Sequence, residues 1–201
     1  MEDNKHYEIN EKAISILQLL DSMTYNHCVR TKQIAQEVET KFGLHTNLLS
    51  QAAILHDIGK IYVSTKILDK PDKLSKLERQ IVDLHPYMGY MILQELNEQT
   101  KKDKKHREKD MISDDVCNLV LFHHGIFPPM LEPLEIEKTE ETRKYALMLH
   151  TIDAFEALTT DRAYRRGYTQ RKAVEIMDKE PSHDKNVLDF LHAHKFYSEG
   201  I

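Results

Sequence analysis

The chain has no tryptophan, only 2 cysteines, and just 6 glycines and 6 prolines in 201 residues. Each scarcity excludes something. Cys28 and Cys117 are too few for a disulfide framework and do not make a C-x-x-C metal pair. They read as buried free thiols in a reducing compartment. Scarce helix breakers, beside abundant Leu, Ile, Glu, Lys, Gln and Ala, favour helix over sheet. No uninterrupted apolar run approaches the ~18 residues that a membrane span needs. The opening MEDNKHYEIN is polar and acidic, unlike a signal peptide, so the expected location is the cytoplasm. A formal net charge of −5 argues against binding along duplex nucleic acid, while leaving room for a small phosphate ligand held by a few local cations. The length suits one domain, taken as residues 1–201 with 1–22 as an N-terminal helix.

Histidine is the residue in excess, at 12. Several fall within or beside apolar helical patterns. A first helix is expected over about 8–22, and a second from about Tyr25 to Phe42 with Gly43 as its stop. A third, starting after Thr46 or Asn47, carries LLSQAAILHD and ends at Gly59. Ser75-Lys76-Leu77-Glu78 has the form of a capping box. The helix that it opens repeats apolar residues at Leu77, Ile81, Leu84, Met88 and Met91, with Pro86 kinking it or resetting its start. Residues 100–110 are charge-dense and read as a solvated loop or helix end. Asp114 or Asp115 begins a helix that runs to His123-His124, and the Pro-rich GIFPPMLEPL cannot continue it. Further helices are expected at about 140–160, from Thr169 through Met177, and at 184–195. No strand pair emerges, so the class is all-α.

Burying a carboxylate without a partner costs several kcal/mol. Asp57 follows the apolar LLSQAAIL and therefore needs a cation or strong donors, with Lys60 the simplest salt-bridge partner. His123 and His124 are adjacent imidazoles behind an apolar helix, and a divalent cation suits such a pair because it binds the neutral ring. Asp153 sits at the edge of an apolar helical stripe, where Arg162 could also satisfy it. His150 nearby reads as packing or surface. His27 and His85 add two imidazoles near apolar positions. Singly, each is weak. Together His27, His56, Asp57, His85, His123, His124 and Asp153 form a sulfur-free N/O donor set. Such a set suits six-coordinate Fe, Mn or Ni better than structural zinc. Lys60, Arg162 and Arg165 supply charge suited to phosphate oxygens, and Arg166 reads as surface.

HDIGK at 56–60, LHPYMG at 84–89, FHHG at 122–125 and DAFEALTTDRAYR at 153–165 resemble the HD-domain phosphohydrolases, and within them the HD-GYP cyclic di-GMP phosphodiesterases. The resemblance covers most of the chain. It implies an HD-domain helical bundle around a buried dinuclear metal site, with those seven residues as ligands and Asp57 bridging. It implies catalysis by Asp57 and Lys60, with Lys60, Arg162 and Arg165 on substrate phosphate. Two divalent ions, Fe or Mn and alternatively Ni, would hold a hydroxide that attacks a cyclic dinucleotide, cyclic di-GMP foremost. The third-metal Glu of some relatives is Met23 here, which implies two ions rather than three. The family's acid after the paired histidines and its Gly-Tyr-Pro element are replaced by HHGIFPPMLEP. The alternatives are therefore a nucleotide-binding regulatory module with weak or no turnover, or a hydrolase of another nucleotide phosphoester.

Overall fold

The computed structural model describes residues 10–44, 46–103, 111–125, 139–161 and 165–196. Among these residues there are ten α-helices, one 3-10 segment and no strand. Local chemistry sets most helix ends. Helix α1 (Glu11–Leu17) starts where the Asn10 side chain accepts from the amides of Lys12 and Ala13. The helix expected through residue 22 therefore stops earlier, because Asp21 caps the next helix by accepting from the Thr24 amide. That helix, α2 (Ser22–Phe42), ends at Gly43 with φ 64°, a left-handed conformation that glycine adopts without a Cβ clash.

Helix α3 (Leu48–Leu55) lies at the centre, with all eight of its residues buried. It packs against α2, α7 (Asp114–Phe122) and α8 (Glu140–Thr159). Leu49, Leu55, Leu119, Leu149, Ile152 and Phe155 are among the side chains fully removed from water. Each such burial contributes about 1.5–3 kcal/mol and leaves a low-dielectric surround for polar groups among them.

The third helix does not reach Gly59. It ends at Leu55, and Ile58–Tyr62 form the 3-10 segment. A Cβ at Gly59 would lie 2.0 Å from the His85 carbonyl oxygen and 2.5 Å from the Gly89 nitrogen. The missing side chain lets this segment's backbone lie directly on α6 (His85–Lys102), bringing Asp57 beside His85. A short α4 (Thr65–Leu68) precedes α5 (Lys76–Val82). The expected capping box is present, with Ser75 and Glu78 each accepting from the other's backbone amide.

The apolar stripe expected across 77–91 is not a buried face. Leu77, Ile81 and Met91 are exposed. The chain breaks at Asp83–Leu84, and Pro86 restarts the helix, so the register of α5 does not carry into α6. The buried face of α6 is instead His85, Gly89, Leu93, Leu96 and Thr100. Helices α9 (Gln170–Met177), capped by Thr169, and α10 (Lys185–Ala193), capped by Asp184, follow α8 as expected. Most of the charge-dense stretch and the Pro-rich loop at 126–138 lie outside the described residues.

Candidate metal centre

Three histidines are aimed by one device. His56 and His123 occupy the C-cap positions of α3 and α7, and His85 follows the end of α5. Carbonyls in a helix's last turn lack amide partners. In each case the imidazole Nδ1–H donates to the carbonyl three residues back: Ala53 at 2.7 Å, Val82 at 2.6 Å and Val120 at 2.7 Å. This fixes the tautomer and leaves the Nε2 lone pair facing inward. His27, on α2, uses a side chain instead, donating from Nδ1 to Glu156 of α8.

The inward atoms fall into two groups. In the first, His27 Nε2 lies 3.2 Å from His56 Nε2 and 3.0 Å from Asp153 Oδ1. Asp57 Oδ2 is 3.7 Å from His27 Nε2 and 3.4 Å from His56 Nε2. In the second, His85, His123 and His124 offer donors within 4.8 Å of one another. There His85 Nε2 lies 3.2 Å from His123 Nε2 and 3.1 Å from Asp57 Oδ1. The Asp57 carboxylate thus turns one oxygen to each group.

These residues fit divalent cations. Bonds of about 2.1 Å at right angles place neighbouring donors about 3.0 Å apart. Two Nε2 lone pairs facing each other at 3.2 Å repel unless a proton or a cation lies between them. Burial holds His123 well below its ordinary value, helped by His124, His56 and His85. Burial likewise lowers His124 to about 4. Both rings are therefore neutral, as ligands must be. Burial opposes charge on Asp57 as well, but Lys60, His56 and His85 outweigh it and hold the carboxyl well below the usual range. Burial is similarly outweighed at Asp153 by His27 and His56. At His27 burial lowers the pKa, yet the bonds to Asp153 and Glu156 raise it to about 9. Without a cation, a proton on His27 balances these carboxylates.

Lys60 donates to Asp57 Oδ2 at 2.6 Å. Burial opposes its charge, but Asp57 raises its pKa, so it is an ammonium rather than a base. Arg165 is engaged at the end of α8. Its guanidinium donates to the carbonyls of Ala157 at 2.6 Å, Leu158 at 3.0 Å and Arg166 at 3.1 Å, closing the end of α8. Three of its five donors are thereby used. Arg162 lies outside the described residues. Met23 sits one turn before His27, and Gly125 takes φ 70°, a conformation that strains other residues.

The sequence reading missed Glu156 and Arg30. Glu156 is fully buried, and Arg30 Nε donates to it at 2.5 Å, as does Thr160 Oγ1 at 2.7 Å. The available signal was an acid inside the apolar DAFEAL, which needs a partner for the same reason as Asp57.

Helical packing thus brings together two groups of side chains that could hold divalent cations. The model of the HD domain family matches residues 24–158, and the chain belongs to that family. It is 29% identical over 164 residues to a cyclic di-GMP phosphodiesterase of Pseudomonas aeruginosa, covering 80% of this chain and 36% of that protein. It is 30% identical over 131 residues to a 3'3'-cGAMP-specific phosphodiesterase of Vibrio cholerae, covering 65% of this chain and 25% of the relative. The chain therefore spans about a quarter to a third of these relatives' lengths. Among solved structures, an HDG"Y"P protein from Bdellovibrio bacteriovorus shares the fold. Its TM-score is 0.58 at 18% identity, over 92% of this chain and 57% of that one. No helix among the described residues is long and apolar enough to cross a membrane.

Proposed function

We propose that the chain is a metal-dependent phosphodiesterase that hydrolyses a cyclic dinucleotide, cyclic di-GMP foremost. The observation that carries this reading is the Asp57 carboxylate, with Oδ1 toward His85 and Oδ2 toward His27 and His56. His27, His56, Asp57 and Asp153 would hold one cation, and His85, His123 and His124, with Asp57, would hold a second. Divalent cations bound there, Fe or Mn by the N/O donor set, would supply Lewis acidity for the phosphoryl oxygens and lower the pKa of a water toward neutrality. Lys60, partly exposed and charged, binds a phosphoryl oxygen and offsets charge that builds in the transition state. It reaches the substrate from the edge of the centre while its bond to Asp57 keeps that carboxylate oriented. Arg162 supplies a second phosphate contact. Arg165 acts chiefly by holding the end of α8, with its remaining donors available to substrate. The buried helices around the donors exclude water and strengthen each of these interactions.

The relatives named above act on cyclic di-GMP and 3'3'-cGAMP, which sets the substrate class to test. A second reading is a cyclic-dinucleotide-binding module with little turnover. Gly125 favours it, since no carboxylate follows the paired histidines. The deciding experiment loads the chain with Fe2+ or Mn2+ anaerobically and separates products from cyclic di-GMP, 3'3'-cGAMP and a generic phosphodiester. Linear dinucleotide or mononucleotide products support hydrolysis. Tight binding with no product supports the second reading. Cleavage of the generic ester alone points to another phosphoester substrate.

A further inference from the structure

The rings of the centre are not all held alike. His56, His85 and His123 donate from Nδ1 to backbone carbonyls three residues back. His27 donates to a side chain, Glu156, and that carboxylate is itself held. Its Oε1 accepts from Arg30 Nε at 2.5 Å and from Thr160 Oγ1 at 2.7 Å, while Oε2 takes the His27 ring. A carbonyl in a helix is fixed by the backbone. A side-chain carboxylate can turn, so its direction depends on what binds its other oxygen. Arg30 follows His27 by three residues on α2, and Glu156 follows Asp153 by three on α8. Their ion pair therefore forms the layer one turn beyond the His27–Asp153 contact. Glu156 is fully buried, whereas the Arg30 side chain is 32% exposed. Among the described residues Glu156 is the one polar partner of Arg30.

We propose that Arg30 is a positioning residue for the cation group of His27, His56, Asp57 and Asp153. It binds one oxygen of Glu156 and so keeps the other on His27 Nδ1. The inference rests on the two-cation reading above. Charge gives Arg30 its weight: a buried carboxylate that loses its charged partner is left uncompensated, and Thr160 offers Oε1 only a neutral donor. A guanidinium suits the place, being always charged and planar, with a donor in a fixed direction. An ion pair that merely tied α2 to α8 would act on the fold as a whole and on both cation groups together. Arg30 acts on one group. The rings of His85 and His123 are held by the carbonyls of Val82 and Val120, outside this chain of bonds.

The test is calorimetric titration of the chelator-treated full chain with Mn2+, for wild type, Arg30→Met, Arg30→Lys, Glu156→Gln and the double variant of Arg30→Met with Glu156→Gln. Arg30→Met is expected to weaken one binding step about tenfold or more and to leave the other unchanged, with the far-ultraviolet circular dichroism of the wild type. Arg30→Lys keeps the charge without the planar fork and loses less at that step. Because Arg30 acts through Glu156, adding Arg30→Met to Glu156→Gln costs that step nothing further. Equal weakening of both steps, or full additivity in the double variant, would overturn the proposal. If Arg30→Met does not fold, Arg30→Lys decides: a weaker single step supports the proposal and an unchanged one overturns it. A wild type that binds no Mn2+ would overturn the two-cation reading and this proposal with it. Two wild-type steps that a folded Arg30→Met leaves unaltered would overturn the proposal alone.

Discussion

Glu156→Gln tests the link between the helical scaffold and the centre. The substitution keeps shape and removes charge. Glu156 is fully buried and accepts from His27, from Arg30 at 2.5 Å and from Thr160 at 2.7 Å. Burial disfavours its ionised form, yet His27, Thr160 and Arg30 hold it at about 2, so it carries charge throughout the working range. A carboxylate behind a ligating histidine orients the ring and raises its basicity, and losing it costs about 10–100-fold in metal affinity. That factor equals about 1.4–2.7 kcal/mol. The loss should fall on the group containing His27, Asp57 and Asp153. The group with His85, His123 and His124 keeps its own carbonyl-held rings and should change little. Calorimetric titration of chelator-treated protein with Mn2+ resolves the two steps. An unchanged His27 step, or equal losses in both steps, would refute the reasoning.

Further outcomes follow from the same geometry. Because His27 is protonated up to about 9 in the cation-free protein, binding must displace that proton, so affinity at its group rises about tenfold per pH unit and levels above about 9. The same raised pKa gives the cation-free protein stability that is full below 6.5 and lost as pH rises through about 9, so melting temperature in chelator falls across that window. Gly59→Ala forces a Cβ to within 2.0 Å of the His85 carbonyl oxygen, and denaturant unfolding should show a loss upwards of about 3 kcal/mol. Lys60→Ala should lower kcat/KM by about 10–100-fold with folding retained, through loss of a charged hydrogen bond. Arg165→Lys should do the opposite, costing about 1–3 kcal/mol of stability through the α8 carbonyls with a smaller kinetic effect.

Features set by neighbours in the chain were legible from the start. The Ser75 capping box, the Gly43 stop, the Thr169 cap and the helix from Glu140 all depend on residues within a turn of one another. The convergence of His27, His56, Asp57, His85, His123, His124 and Asp153 was legible for a different reason. Histidine and aspartate inside apolar runs demand partners, and so many in one chain point to a shared one. Glu156 was missed because its partners His27 and Arg30 stand 129 and 126 residues away, beyond any local pattern. The stripe from Leu77 to Met91 misled because its period runs across a helix break, and periodicity alone does not reveal which face meets the core. The carbonyl bonds of Arg165 were not legible, because a positive charge beside a helix end serves carbonyls as readily as phosphate.

The central claim is that one carboxylate serves two cations. The most direct measurement is metal content per chain of the Mn2+-loaded, gel-filtered protein, wild type against Asp57→Ala, prepared anaerobically and assayed on cyclic di-GMP. The account predicts two ions in the wild type, loss of both in the variant, and loss of hydrolysis with them. Full retention of metal by a folded Asp57→Ala protein would contradict it.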